Sequence, residues 1–256
     1  MNSESLTLAV VSGKGGVGKS VLAVNLAEAL AARGLRTALV DADLGQSACP
    51  VLLNEAPAHT AADVAAGRAD LDAALHTTTA GVTLLQGAHS PDEADDEAAL
   101  FAALDRALDA LRATHDVVLI DAPAGAGPSV RWALDRAGAG LLVLVGEPTA
   151  VADAYALAKL VWTADPAFPL GTVVNHADTA DEARSVAARF AAVTGPFLGT
   201  APDYLGWVPY TVAVRRSVQV QAPAFREEGS ARMAFAQLAD VVARGPAAWA
   251  EAEAAL

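Results

Sequence analysis

The chain has 256 residues, of which 54% are hydrophobic and 18% charged, a composition that supports a sizeable core and excludes intrinsic disorder. No apolar run reaches the roughly 18–20 residues of a membrane span; the longest, 141–145 with its alanine and glycine flanks, has the length of a buried strand. The polar first five residues do not resemble a signal peptide. A single cysteine excludes an internal disulfide and fits a reducing compartment. We therefore expect a soluble, cytoplasmic, globular protein.

Acidic residues outnumber basic ones by 30 to 17, which gives a formal net charge of −13. This charge opposes nonspecific binding to nucleic acid, because such binding draws its affinity from neutralising phosphates. A solvated acidic surface is the simplest explanation of the excess. Three of the basic residues are lysines, and two of these, Lys14 and Lys19, lie in one glycine-rich segment, far from Lys159.

Apolar strands alternate with amphipathic helices along the whole chain. In chain order the pattern predicts strand 6–11, helix 21–33, strand 36–40, short helix 60–67 capped by Thr60, strand 82–86, helix 95–113, strand 117–120, helix 129–137, strand 141–145, helix 149–163, strand 172–174, helix 180–193, strand 204–208 and helix 230–244. Such alternation favours a parallel sheet covered on both faces. We predict a single α/β domain over residues 1–256, with a mostly parallel twisted sheet in three layers. Segment 88–96 is predicted to be a mobile loop, and 245–256 a short acidic tail.

Between the first predicted strand and helix the sequence reads Gly-Lys-Gly-Gly-Val-Gly-Lys-Ser, which fits the pattern of a phosphate-binding loop in its required setting. Glycines allow the backbone to fold around a polyphosphate, and the helix N-terminus favours the same anion. We expect Lys19 to reach the β- and γ-phosphates and the Ser20 hydroxyl to bind Mg²⁺. The alternative is a glycine-rich turn without a ligand. The predicted ATP- or ADP-binding residues of this segment are Gly13, Lys14, Gly15, Gly16, Val17, Gly18, Lys19, Ser20 and Val21.

The additional lysine, Lys14, makes this loop similar to the deviant Walker A loop of the MinD/ParA family of ATPases. The resemblance implies a P-loop NTPase fold and a homodimer that forms around ATP. It also implies that Lys14 contacts the nucleotide bound by the other subunit, where a cation would neutralise charge that develops during hydrolysis. The alternative for Lys14 is a lysine that faces solvent.

Three aspartates follow predicted strands. Asp41 and Asp43 follow the second strand and Asp121 a later one, and the carboxyl ends of parallel strands form the ligand crevice. An apolar strand that ends at Asp121 has the Walker B arrangement, which holds Mg²⁺. Asp41-Ala42-Asp43 resembles switch I of the family; the resemblance implies that Asp43 orients the attacking water and that Asp41 supports the magnesium site. On its own, this pair would indicate a solvated turn.

The second half resembles one branch of the family. Segment 147–159 is similar to the "EPT…DAYAL.K" segment of FlhG/FleN/YlxH proteins, ATPases that help to set the number and position of flagella. Segments 197–210 and 213–218 match further blocks, and Pro123-Ala124-Gly125 resembles the switch II of MinD and its flagellar relatives. Asn175 matches the asparagine that reads the adenine edge in the family, and Pro209 is also assigned to the nucleotide site. The resemblance covers about residues 6–244.

Several positions depart from the family pattern. Ala48 and Pro50 stand where relatives carry asparagine and aspartate, in a region of dimer and partner contacts, and Thr211 replaces a frequent aspartate. Because about five residues precede the first predicted strand, we expect no N-terminal activator segment. The acidic C-terminal tail would be repelled by anionic lipid, so we expect no autonomous membrane anchor. Cys49 is expected to be a small inert residue.

These observations predict a Mg²⁺-dependent ATPase that acts as an ATP-driven dimerisation switch, with slow, partner-stimulated hydrolysis. The resemblance implies an FlhG-like regulator of flagellar number or placement. Its partner would be an unidentified activator or flagellar-assembly protein, through which alone it would reach the membrane or a cell pole. The alternative is a partition or division-site positioning protein of the ParA/MinD type that uses DNA or the membrane as its matrix. The absence of C-x-x-C argues against a metal-cluster carrier, and no acceptor site supports a metabolic kinase.

Overall fold

A computed structural model describes residues 5–90, 93 and 96–253. The strands are β1 Leu6–Ser12, β2 Thr37–Asp41, β3 His76–Thr77, β4 Thr83–Gln86, β5 Val117–Ala124, β6 Ala139–Leu144, β7 Leu170–Ala177 and β8 Asp203–Pro209. The helices are α1 Lys19–Ala31, α2 Cys49–Leu53, α3 Ala61–Ala65, α4 Leu71–Ala74, α5 Glu97–Thr114, α6 Pro128–Arg136, α7 Pro148–Ala164, α8 Ala180–Leu198, α9 Val212–Gln219, α10 Ser230–Val242 and α11 Trp249–Glu253.

Across the described residues the strands form one eight-stranded sheet in the order β3-β4-β2-β5-β1-β6-β7-β8. Its pairings are parallel except for that of β3 with β4. The chain leaves β1 toward β2 on one side and later continues from β5 to β6 on the other. Ligands bind at such a switch point, outside the carboxyl ends of the strands. This topology places the loop that follows β1 in the expected crevice.

The strands are buried on both faces of the sheet. Along β1, Leu8 and Val10 pack into one apolar cluster, whereas Ala9 and Val11 pack into the other. Helices α1 and α10 cover the first cluster, and α5, α6, α7 and α8 cover the second. Alternate side chains of a strand point to opposite faces, which explains why these strands read as nearly continuous apolar runs. The predicted three-layer α/β fold is confirmed.

Most predicted elements are present with shifts of a few residues at their ends. Thr60 caps α3 through a reciprocal capping box with Asp63. One face of α5 carries four leucines, and all of them are buried: Leu100, Leu104, Leu108 and Leu111. The sequence reading missed several short elements, among them α2, α4, β3 and α9. Elements this short carry too few turns for a period to be read. The mobile-loop prediction for 88–96 falls partly on residues 91, 92, 94 and 95, which lie outside the described residues.

The residues expected to form an acidic tail are packed onto the domain as far as the structure describes them. Trp249 is fully buried, with 0% of its surface exposed, and α11 packs against β8. The large buried indole packs into the first apolar cluster, the one covered by α1 and α10. Within the described ranges, no helix combines the length and apolar character needed to span a bilayer.

Candidate nucleotide and metal site

The glycine-rich loop 13–18 joins β1 to the first turn of α1. Gly16 and Gly18 have φ angles of +78° and +87°, a left-handed conformation that glycine adopts without strain. At Gly13 a Cβ atom would lie 2.1 Å from the backbone carbon of Asp153 in α7. The loop therefore requires glycine for its backbone path at Gly16 and Gly18, and for close packing at Gly13. The N–H groups of the first turn of α1 lack partners within the helix, as at any helix start.

Asn175 fixes the loop from the end of β7. Its Nδ2 donates to the carbonyl of Val17 over 2.8 Å, and its Oδ1 accepts from the backbone N–H of His176 over 3.0 Å. Asn175 is buried, so these bonds hold the amide in one orientation. Its role in reading adenine stays a prediction, as does that of Pro209, which is buried at the end of β8.

Lys19 is the first residue of α1 and is 9% exposed. Burial lowers the pKa of its ammonium, whereas the charges of Asp121 and Asp43 raise it. The structure thus brings the loop lysine and these two aspartates together, although they are far apart in sequence. Val21 lies two residues further along α1, where its carbonyl accepts from Asn25 Nδ2 over 2.7 Å.

Asp41, the last residue of β2, and Asp121, inside β5, are neighbours in the sheet and paired in register. Both are 0% exposed. Burial raises the pKa of each carboxyl group, and the charge of Asp41 raises that of Asp121 further. The Ser20 hydroxyl and the Lys19 ammonium act in the opposite direction on Asp121. Two buried carboxylates side by side create a demand for positive charge.

The oxygens of the two aspartates are used differently. Asp41 accepts from Asp43 N–H over 3.1 Å, from Ser47 Oγ over 2.7 Å and from Cys49 N–H over 2.9 Å. In contrast, Asp121 Oδ1 is buried and has no hydrogen-bond partner. The Asp121 oxygen without a hydrogen-bond partner and the neighbouring Ser20 hydroxyl suit the all-oxygen coordination of Mg²⁺. The predicted metal residues Ser20, Asp41 and Asp121 are therefore a suitable donor set.

Asp43 lies beyond the end of β2 and is partly exposed. Its Oδ1 accepts from the N–H groups of Gly45 and Gln46 over 3.3 and 3.1 Å. The carboxylate thereby closes a tight turn in the predicted switch I segment, within electrostatic range of Lys19. A water-positioning role for Asp43 stays a prediction.

Lys14 projects away from the buried aspartates. Its Nζ lies 2.6 Å from Glu147 Oε2 and donates to Thr149 Oγ1 over 3.2 Å. The charge and hydrogen bond of Lys14 lower the pKa of Glu147. Both partners follow β6, at the same edge of the sheet as the other site residues. In this conformation Lys14 bonds to its own chain at the surface.

Sequence reasoning assigned no role to Glu147, Thr149 or His176 and expected Cys49 to be inert. Glu147 lies at a strand end, a position where the carboxyl-edge rule could have indicated it. His176 has a φ of +59°, and its ring lies 5.2 Å from that of Tyr210 at a tilt of 59°. Cys49 Sγ donates to Asp121 Oδ2 over 3.4 Å; nothing local in the sequence indicates that contact.

Comparisons with known proteins identify relatives of this chain. Residues 8–237 match the family model described as the CobQ/CobB/MinD/ParA nucleotide binding domain. The chain is 37% identical over 242 residues to the antiactivator FleN of Pseudomonas aeruginosa, covering 93% of this chain and 86% of that protein. It is 30% identical over 155 residues to the flagellum site-determining protein YlxH of Helicobacter pylori, covering 60% and 52%. The solved cell division ATPase MinD of Pyrococcus furiosus superposes with a TM-score of 0.78 at 25% identity, covering 94% and 99%.

Proposed function

We propose that this chain, which belongs to the CobQ/CobB/MinD/ParA nucleotide-binding family, is a Mg²⁺-dependent ATPase that dimerises around ATP and separates after slow, partner-stimulated hydrolysis. We further propose that it regulates flagellar number or placement in the manner of its FleN- and YlxH-like relatives. One observation carries the ATPase proposal: the buried Lys19 lies beside Asp43 and Asp121, at the point where a glycine loop enters a helix.

Each group has a definite task in this proposal. The N–H groups of the loop and the ammonium of Lys19 bind the β- and γ-phosphates. Ser20 and Asp121 hold Mg²⁺, with Asp41 as a support that is itself fixed by three hydrogen bonds. When bound, the ion supplies positive charge to the phosphate oxygens. Asp43 orients the attacking water, because its partly exposed carboxylate lies near Lys19 without being buried with the other two.

The dimer gives Lys14 its role. In the structure this lysine lies at the surface with a side-chain exposure of 37%. Its side chain can therefore break its contacts with its own chain without exposing buried apolar residues. In the dimer it crosses to the phosphates of the opposite nucleotide and stabilises charge that develops during hydrolysis. Cations supplied in this way contribute about 10³–10⁵ in rate. Hydrolysis then resets the switch, and the useful output is a surface that exists only with ATP bound.

The dimer proposal is tested by size-exclusion chromatography of Lys14→Ala with ATP and Mg²⁺. We expect the variant to bind ATP but to elute as a monomer, whereas the wild type elutes as a dimer. Lys159→Ala, which removes a lysine from α7 outside the loop, is the matched control and should dimerise normally. A stable ATP dimer of Lys14→Ala would contradict the role of this lysine across the interface.

The biological proposal is tested by deleting the gene and counting flagella while a tagged copy is imaged. A changed number or position of flagella supports regulation of flagella. The second candidate, division-site positioning, is favoured by the structural match to a cell division ATPase. Normal flagella together with misplaced septa would support it instead. ATP-dependent, salt-sensitive DNA binding would indicate a partition protein.

A further inference from the structure

A thiol lies beside the buried carboxylates of the nucleotide site. Cys49 begins α2, Asp41 ends β2 and Asp121 lies in β5, so three separate elements bring these side chains together. All three residues are 0% exposed. Three possible ligand atoms, the sulfur of Cys49 and one oxygen from each of the two carboxylates, lie within 4.8 Å of one another.

We propose that Cys49, Asp41 and Asp121 form a binding site for one thiophilic divalent cation of the Zn²⁺ or Cd²⁺ class in the nucleotide-free protein. The inference does not require ATP hydrolysis, so failure of the ATPase proposal would leave it intact.

The three side chains bring their possible ligand atoms close to one another. Cys49 Sγ lies 3.4 Å from Asp121 Oδ2, and the other oxygen of Asp121 is buried without a hydrogen-bond partner. Cys49 is also tied to Asp41 through its backbone, because its N–H donates to Asp41 Oδ2 over 2.9 Å. The sulfur is therefore held next to an oxygen that lacks a ligand.

The donor set selects the chemistry of the ion. Mg²⁺ takes oxygen ligands and leaves a sulfur unused. Zn²⁺ and related ions bind cysteine sulfur together with carboxylate oxygen. The metal ion forms a bond to Sγ as the S–H proton leaves to solvent, so the thiolate, the two carboxylates and the ion together carry a charge of −1, with the Lys19 ammonium nearby. Such an ion occupies Asp121 and excludes Mg²⁺ from the same carboxylate.

The single cysteine of the chain gives a specific readout. Cd²⁺ is titrated into the nucleotide-free full-length protein while the ultraviolet thiolate-to-cadmium charge-transfer band is recorded. We expect the band to saturate at one equivalent in the folded protein. A band that appears only after unfolding in urea would overturn the proposal, because the folded site would then not bind the ion.

Variants distinguish binding of Cd²⁺ by the three-residue site from binding by the Cys49 thiol alone. Asp121→Asn should weaken Cd²⁺ binding by more than the about 10–100-fold that loss of an outer-shell partner costs. Asp72→Asn, a change of an exposed aspartate on α4, should leave it unchanged. Equal affinity in Asp121→Asn and the wild type would refute the proposal. X-ray absorption of the wild-type cadmium complex gives an independent measure: one sulfur with at least two oxygens is expected, and a shell of sulfur with solvent or chloride alone would contradict the site.

Discussion

Lys14 and Glu147 of the same chain form an ion pair, with 2.6 Å between Nζ and Oε2. The lysine proposed to act on a neighbouring subunit is therefore bonded to its own subunit in this conformation. In the dimer that we propose, this contact and the hydrogen bond to Thr149 are exchanged for contacts with phosphate. On that proposal, the strength of the pair contributes to the free energy of dimerisation.

Breaking this pair should favour the dimer. The two side chains are 37% and 65% exposed, and exposed pairs contribute ~0.2–1 kcal/mol. A symmetric dimer breaks two such pairs, one in each subunit, so we expect Glu147→Gln to tighten ATP-dependent dimerisation by no more than about thirtyfold, measured by sedimentation equilibrium in an Asp43→Ala background. Thr149→Val removes only the neutral contact and should have a smaller effect. A weaker dimer in Glu147→Gln would mean that the carboxylate itself contacts the partner.

Loss of the carboxylate at position 43 should separate binding from hydrolysis. Asp43→Ala is expected to bind ATP but to hydrolyse it about 10²–10⁴-fold more slowly, the usual contribution of a positioned polar group, and to accumulate as a dimer. Phosphate release and chromatography with ATP measure the two effects. Asp43→Asn keeps an oxygen acceptor for the turn at Gly45 and Gln46 and shows whether charge or turn geometry is responsible. Hydrolysis by Asp43→Ala at the wild-type rate would rule out the assignment.

The amide of Asn175 should support the phosphate loop directly. Asn175→Ala removes the donor to the Val17 carbonyl, and leaving a buried acceptor without its partner costs ~1–3 kcal/mol. We expect ATP affinity to fall about tenfold or more, as measured by equilibrium titration with a fluorescent ATP analogue. Asn175→Asp keeps the acceptor for His176 N–H but loses the donor, so it should show the same loss. Unchanged affinity in both variants would show that the loop keeps its shape without this bond.

The C-terminal helix should contribute to the stability of the whole domain. Trp249 is 0% exposed, and truncation of a buried aromatic side chain costs ~3–5 kcal/mol. Trp249→Ala should therefore lower the free energy of unfolding by that amount in urea denaturation. Glu251→Ala, an exposed position on the same helix, should change it by less than about 0.5 kcal/mol. Equal stability of the two variants would indicate that α11 unfolds independently.

The sequence predicts the sheet, the main helices and the phosphate loop because their signals are local. Apolar strands are buried on both faces, and a glycine loop between a strand and a helix has one structural setting. The carboxyl-edge rule also places Asp41, Asp43 and Asp121 near Lys19, as the structure does.

The contacts of Cys49 and Lys14 were not predictable in this way. Cys49 is the eighth residue after Asp41, and it reaches Asp121 because the intervening loop folds back to the start of a short helix. The hydrophobic periodicity of the sequence does not indicate the course of such a loop. Lys14 contacts Glu147, which follows it by more than 130 residues in the sequence. The contact depends on how the glycine-rich loop packs against the end of β6. Contacts of this kind depend on loop conformation, which is decided by many weak interactions at once.

The contact between Gly13 and the backbone of α7 has a mechanical consequence. The two main chains touch at a distance that no side chain would allow, and protein interiors are packed too densely to absorb a displacement. We therefore expect a shift of α7 to displace the loop at Gly13 as well. The same helix carries Thr149, a hydrogen-bond partner of Lys14, in its first turn. A movement of α7 would therefore displace this partner and the base of the loop together.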